Sequence, residues 1–190
     1  MAIEGTGVRL REERADDIDF VTSLRNDLDT QAWPKSLPPH YTREMMAKRY
    51  EAREFSFEPT DGRFIIEAKE TGDRVGFVGY SSLESRFSAN LGVMVAKQYW
   101  GSGYAWEAND LLLRFMFHEL GLRVIRLWTH SLNPRAIALA EKLGFRETAR
   151  FRSSIYRNGQ LGGSVVMDIT RQEFYESRDD LTDTLPDPFV

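Results

Sequence analysis

The sequence contains no cysteine, which excludes disulfides, thiolate metal sites and a thiol nucleophile together. Histidine is nearly as scarce: His40, His118 and His130 stand at no metal-ligand spacing, so no metal is expected. Long apolar runs are missing as well. Nothing approaches the roughly 20 residues that cross a bilayer, and the start MAIEGTGVRLREE has no signal-peptide core, so a cytoplasmic protein with no membrane partner is expected. Nor is there a surplus of basic charge. The formal net charge is −4, and residues 178–190, with four Asp against Arg178, hold −3 of it, leaving −1 for residues 1–177. A nearly neutral body argues against nucleic acid as a partner.

What is present is core-forming material in one domain's length. The 190 residues include twelve Phe, seven Tyr and four Trp, enough for a single core at roughly 100–200 residues per domain. One domain over residues 1–177 is expected, followed by an acidic, frayed tail over 178–190.

Val8 to Glu12 alternates apolar and charged residues and reads as a strand; Ile18, Val21 and Leu24 then line a helical face within residues 14–27. Residues 28–41, with Trp33, Pro34, Pro38 and Pro39, read as an ordered loop, and Thr42 as the N-cap of a helix running to Phe55. Residues 62–69 and 74–82 form a predicted hairpin. Then come a strand over 88–96, an apolar helix over 104–120, a buried strand over 124–130, and a helix over 133–143 stopped by Gly144. Two last strands, 145–156 and 161–170, flank Asn158-Gly159, a strong hairpin signal.

Between the strand over 88–96 and the next helix lies Gln98-Tyr99-Trp100-Gly101-Ser102-Gly103-Tyr104-Ala105. Glycines let successive backbone N–H groups converge, and the helix adds its positive end, so the turn suits phosphate oxygens, a pyrophosphate above all. The plainer reading is a tight strand-to-helix turn. A P-loop is excluded because Tyr104 and Ala105 stand where Lys and Ser or Thr are needed. A dinucleotide fingerprint needs Gly or Ala where bulky Trp106 stands, and an acidic residue ending the next strand, which ends at His130.

The run Gln98-x-x-Gly101-x-Gly103-Tyr104-Ala105 resembles the pyrophosphate loop of the GNAT superfamily, the acetyl-CoA-dependent N-acetyltransferases. Asn133-Pro134-Arg135-Ala136 through Glu141-Lys142-Leu143-Gly144-Phe145-Arg146 resembles that superfamily's second cofactor motif, and the two together are specific. The Tyr156-Arg157-Asn158-Gly159 hairpin and the opening strand with two helices resemble, more narrowly, its RimJ/RimL-like branch. The resemblance spans about residues 7–175. It implies an α/β (α+β) GNAT fold, a mixed central sheet of about seven strands flanked by helices, with acetyl-CoA as cosubstrate. It further implies that the backbone of Met94, Val95 and Ala96 pairs with the pantetheine amides, and that Gln98, Gly101, Ser102, Gly103, Tyr104 and Ala105 form the pyrophosphate loop. Asn133 would reach the pantetheine arm; capping its own helix is the plainer role, and the two can coexist.

The implied reaction is direct attack of a primary amine on the acetyl thioester, which agrees with the absence of cysteine. The positions matching the family's strand carboxylate and its thiolate-protonating tyrosine hold Asn90 and Ala140, neither able to do acid–base work. Leu161 and Gly163 likewise replace an aromatic and an acidic residue frequent in this branch. Glu84, through water, is the candidate to collect the amine proton, Ser131 to protonate the sulfur, and Tyr156 to serve the acceptor side. Each also has a bland reading: a solvated strand-end carboxylate, a locally bonded loop serine and a packing tyrosine. Trp33, Asn90 and His130 are expected to face the acceptor, a protein N-terminal α-amine or a small-molecule amine.

A site without strong bases favours an amine of low pKa. At pH 7 the neutral form costs about 1 kcal/mol for an α-amine of pKa about 7.7–8.0, and about 5 kcal/mol for a lysine near 10.4. Two other readings stay open. Asn90 and Ala140 also fit a non-catalytic acyl-CoA-binding module, and the small Ala140 fits an acyltransferase with a larger donor. Exposed sheet edges make a homodimer an expectation.

Overall fold

The computed structural model describes residues 2–30, 40–54 and 60–183. Its strands are β1 (Ala2–Glu4), β2 (Val8–Glu12), β3 (Gly62–Ala68), β4 (Arg74–Glu84), β5 (Ser88–Val95), β6 (Val124–His130), β7 (Arg146–Arg157) and β8 (Gln160–Thr170). They form one mixed sheet in the order β1-β2-β3-β4-β5-β6-β8-β7. The expected seven strands become eight because Ala2–Glu4 folds back across Gly5 to Gly7 and sets Ile3 opposite Leu10. Three residues are too few to display the alternation by which the other strands are read.

The helices are α1 (Ile18–Asn26), α2 (Arg43–Glu54), α3 (Tyr104–Arg114), α4 (Pro134–Lys142) and α5 (Arg171–Glu176). On one face of the sheet Ile18, Val21 and Leu24 of α1 pack with Met46 of α2 on Ile65, Phe77 and Met94. On the other, Leu112 and Leu113 of α3 and the π-helical turn Phe115–Glu119 that prolongs it join Val8, Leu10, Ile66 and Ile125. The helix expected from Arg14 begins only at Ile18. Asp17, wholly buried, keeps Ala15–Asp17 in a 3-10 turn, its carboxylate accepting from Arg11 at 2.7 and 2.9 Å and from the Arg14 amide at 2.9 Å. Thr42 caps α2 as expected, its Oγ1 accepting from the Met45 amide at 3.2 Å. Asn158 and Gly159, both at positive φ, make the tight turn between β7 and β8.

One irregularity of the sheet positions everything that follows. Each ladder is antiparallel except β5 to β6, which is parallel and covers only Ser88–Asn90 against Val124–Arg126. Beyond that point β5 stays with β4 and β6 stays with β8 to its end at His130. The two strands therefore diverge and open a wedge in the middle of the sheet.

The segment after α5 is held to the body rather than frayed. Arg178 makes two bonds to Asp110 of α3, at 2.7 and 2.9 Å, with its guanidinium 4.1 Å from the Phe174 ring centre. Asp180 pairs with Arg114, Asp183 with Arg171, and Leu181 packs against the core. The tail is thus docked as far as the described residues reach; residues 184–190 lie outside them. No helix of the described residues is long and apolar enough to cross a membrane.

Candidate active site

The wedge holds a cleft of about 300 Å³, bounded by Leu91 to Met94 of β5, Leu127 to Thr129 of β6 and the inner face of α4. The direction of each peptide on β5 follows from one bond. Ala96 N–H donates to the Val75 carbonyl at 2.9 Å, so Ala96 and, two residues back, Met94 turn their peptide groups toward β4. Val95 and Val93 then face the open side. Of the three residues expected to offer their backbone to a ligand, only Val95 turns its peptide to the open side, together with Val93, which was not anticipated. Met94 and Ala96 contribute burial instead, facing α1 and α2. A strand edge with no partner strand suits an extended ligand that carries amides of its own.

At the top of this edge the chain turns through Lys97–Tyr99 into the glycine loop. Gly101 and Gly103 sit at φ +82° and +90°, and a Cβ placed on either would meet nothing within 4 Å. The glycines are required by backbone conformation, not by crowding, and the space beside them is open. Gly103 is the N-cap of α3, whose first helical bond is Glu107 N–H to Gly103 carbonyl; the Ala105 and Trp106 amides lie ahead of that ladder. Ser102 braces the loop by donating to the Tyr99 carbonyl at 2.7 Å and accepting from the Tyr104 amide at 3.3 Å. Gln98 is exposed on the preceding turn. Across the opening, the Arg135 guanidinium of α4 lies 3.6 Å from the Trp100 ring centre, and the Trp100 indole donates to the Val95 carbonyl at 2.9 Å. Loop, strand edge and α4 are tied together at the mouth of the cleft. The arrangement suits a phosphate-bearing chain that lies extended along β5, and acyl-CoA fits it.

The turn after β6 is built from the predicted polar residues, and each is used locally. Asn133 is buried, lines the cleft and caps α4, its Oδ1 accepting from the Ala136 amide at 3.1 Å. His130 is 1% exposed, and its Nδ1 accepts from the Leu132 amide at 3.2 Å, which places the ring proton on Nε2. Ser131 Oγ accepts from the Gly163 amide of β8 at 3.0 Å. His130 and Ser131 therefore brace the turn and stand outside the cleft lining.

The remaining candidates are scattered. Asn90 is half-buried at the apex of the wedge, in the last pair that joins β5 to β6. Glu84 pairs with Ser88, below that apex; with about 3.3 Å per residue it lies about 10 Å from where the cleft begins at Leu91. The structure does not bring Glu84 to the cleft. Tyr156 is 69% exposed on the β7–β8 hairpin. Its neighbour Arg157 donates to the Leu28 carbonyl, which draws the segment after α1 against that hairpin. Trp33 lies outside the described residues. Asp29 of the same segment pairs with Lys97 at 2.6 Å; that hydrogen bond, together with the charges of Lys97, Arg135 and Arg157, holds its carboxyl below the usual range despite a small opposing effect of desolvation.

Three polar residues of the lining had no signal in the sequence: Thr30, whose hydroxyl donates to the Leu24 carbonyl at 2.7 Å, Asn109 and Thr129. Asn109 of α3 donates to the Ala105 carbonyl at 2.6 Å, and Thr129 of β6 has a buried Oγ1 without a hydrogen-bond partner among the described residues. No group of three or more His, Asp or Glu capable of holding a metal occurs among the described residues.

A sheet split over a cleft, with a glycine loop at the end of the exposed edge, is the architecture of an acyl-CoA-dependent transferase. The chain belongs to the family described as the Acetyltransferase (GNAT) domain, which matches residues 8–146, and it is an acetyl-CoA-dependent N-acetyltransferase acting on an amine. It is similar to the SPbeta prophage-derived uncharacterized N-acetyltransferase YokL of Bacillus subtilis, 28% identical over 178 residues, 90% of this chain and 93% of that one. It is also similar to the spermidine N(1)-acetyltransferase of Escherichia coli, 23% identical over 88% of either chain. Among solved structures, spermidine N-acetyltransferase from Vibrio cholerae in complex with CoA and spermine shares the fold, with a TM-score of 0.81, 22% identity and coverage of 90% of this chain and 99% of that one.

Proposed function

We propose that the protein acetylates an amine of low pKa, an N-terminal α-amine or a comparable small-molecule amine, by positioning more than by acid–base catalysis. The observation that carries this is Asn90 at the wedge apex, with no carboxylate among the described residues lining the cleft. A bound acyl-CoA supplies an activated thioester. This chain supplies the rest: Val93 and the Val95 N–H face the pantetheine arm, the Val95 carbonyl being held by the Trp100 indole, residues 101–105 hold the pyrophosphate, Asn133 borders the arm, and Asn90 orients the incoming amine. With no strong base at hand, the fraction of acceptor already neutral at working pH sets the rate.

The Tyr156-Arg157-Asn158-Gly159 hairpin and the opening strand with two helices support placement in the RimJ/RimL-like branch. A relative named putative ribosomal N-acetyltransferase YdaF, 26% identical over 54% of this chain, points the same way. The exposed edge of β7 is available to a second copy, which supports a homodimer, and the absence of cysteine accords with a cytoplasmic setting.

Thiol release from acetyl-CoA, followed with a chromogenic thiol reagent, tests the proposal with no background from this cysteine-free chain. Peptides with free N-termini and small α-amines should turn over, whereas N-terminally blocked lysine peptides and spermidine should react at least tenfold more slowly at pH 7. Turnover confined to lysine side chains or polyamines would overturn it. One observation favours a second reading: Ala140 is a small residue in the cleft wall, beside Leu139 and Leu143, and leaves room for a longer acyl chain. A higher kcat/KM with propionyl- or succinyl-CoA than with acetyl-CoA in the same assay would select it.

A further inference from the structure

We propose that the Thr129 hydroxyl donates a hydrogen bond to the sulfur of the bound thioester and to the thiolate that leaves it, a role that rests on the acetyl-CoA reading of the cleft. Thr129 is 8% exposed, lines the cleft, and has its Oγ1 buried without a partner among the described residues. An unmatched buried hydroxyl is costly, and native proteins keep few of them. The other polar groups nearby are committed. The Thr30 hydroxyl donates to the Leu24 carbonyl at 2.7 Å, the Asn109 amide to the Ala105 carbonyl at 2.6 Å, and Asn133 Oδ1 accepts from the Ala136 amide at 3.1 Å, while Ser131, whose Oγ accepts from Gly163, is not among the lining residues. Among the described residues, Thr129 Oγ1 is the one unpartnered buried side-chain polar atom that belongs to a lining residue.

Its location selects the sulfur. Alternation along β6 sends Ile125 and Thr129 toward α4 and the core, and exposed Trp128 to the opposite face. Thr129 thereby shares a wall with Ala136, Leu139 and Ala140 of α4. The methyl group of Ala140 has no hydrogen to donate. Thr129 lies three residues past Arg126, the last β6 residue paired with β5, as Val93 lies three past Asn90. A ligand entering at the glycine loop and running down the edge by Val95 and then Val93 carries its far end, the thioester, to this depth. In the reaction the amine lone pair forms the N–C bond, the C–S bond breaks with its electron pair going to sulfur, and the ammonium proton passes to water. Thr129 keeps its own proton and holds the thiolate until solvent protonates it.

The full chain with Thr129→Val, which keeps the shape and removes the hydroxyl, and with Thr129→Ser, which keeps the hydroxyl, decides the matter through three readouts. For Thr129→Val, kcat should fall about tenfold to a hundredfold with KM for acetyl-CoA within about twofold, the size expected for one hydrogen bond to a developing charge. Its melting temperature should hold or rise, because an unmatched polar group has been removed. The thiol of bound CoA, titrated by thiolate absorbance, should ionise at higher pH in Thr129→Val than in wild type, and Thr129→Ser should restore the wild-type value. A Thr129→Val enzyme equal to wild type in both kcat and thiol titration would overturn the proposal, as would a fall in melting temperature matched by loss of CoA affinity. Wild-type protein that binds CoA but acetylates no amine would contradict the function proposed above, and the thiol titration would still decide for or against Thr129.

Discussion

Ala96 and Val75 are joined by a 2.9 Å backbone hydrogen bond, and the antiparallel alternation it starts fixes which peptides of β5 are free for a ligand. Val93 and Val95 face the wedge; Met94 and Ala96 do not. The cleft is thus a consequence of strand register before any side chain is considered.

That register depends on Gly76. A Cβ there would stand 2.2 Å from the Met94 carbonyl oxygen and 2.9 Å from the Val95 Cα, both backbone atoms that cannot swing aside. Gly76→Ala should push β5 from β4, costing about 1–3 kcal/mol of stability in denaturant unfolding and weakening CoA binding in calorimetric titration. Gly72→Ala, in an open turn at φ +74°, is the control: it should lower stability slightly and leave CoA affinity unchanged.

The glycine loop makes a separable prediction. Gly103→Trp places a bulky group in the open space at the head of α3 and forces φ +90° on a residue with a Cβ. CoA affinity should fall at least about tenfold while far-ultraviolet circular dichroism shows the sheet and helices intact. Unchanged affinity would remove the phosphate from this loop.

Truncation after Ser177 tests the docked tail. It deletes Arg178, whose guanidinium is nearly buried between Asp110 and Phe174, and should lower stability by about 1–3 kcal/mol, the range for hydrogen bonds to charged groups. Arg178→Ala should reproduce much of the loss, because Asp110 retains only Arg114 at 2.7 Å. A frayed tail would give no change in melting temperature.

Acid stability should carry the signature of Asp17. Burial pushes its carboxyl upward, but hydrogen bonds from Arg11 and the Arg14 amide and the charges of Arg11 and Arg74 outweigh that, leaving it below the ordinary value. A carboxyl lowered by folding stabilises the protein above its unfolded pKa, about 3.9, and that contribution disappears as pH falls through the lower folded value. Wild-type stability should drop below about pH 4 more steeply than that of Asp17→Asn, which should be less stable than wild type at pH 7 and flatter in acid.

Features that depend on a few neighbouring residues were legible in the sequence: the glycine loop, the Asn133 cap, Gly144 closing α4, and the Asn158-Gly159 turn. Thr170-x-x-Glu173, the capping box that starts α5, is just as local, yet this helix was not among the expected elements. Features that depend on how far two strands stay together were not. Glu84 looked close to the chemistry because it precedes β5, yet β4 runs past the wedge apex and carries it away. Thr129 looked like an ordinary strand residue, since only the divergence of β6 from β5 turns its hydroxyl into part of a wall. Arg178 looked like the start of a solvated tail because its partner, Asp110, lies 68 positions away.

Residue-resolved amide exchange with and without CoA tests the central claim most directly. Met94 and Ala96, already bonded to β4, should exchange slowly in both states, whereas Val93 and Val95 should exchange fast in the free protein and become protected when CoA is added, together with the Ala105 amide at the head of α3. Protection that leaves Val93 and Val95 unchanged, or that appears on a different element, would contradict the account of this cleft as the acyl-CoA site.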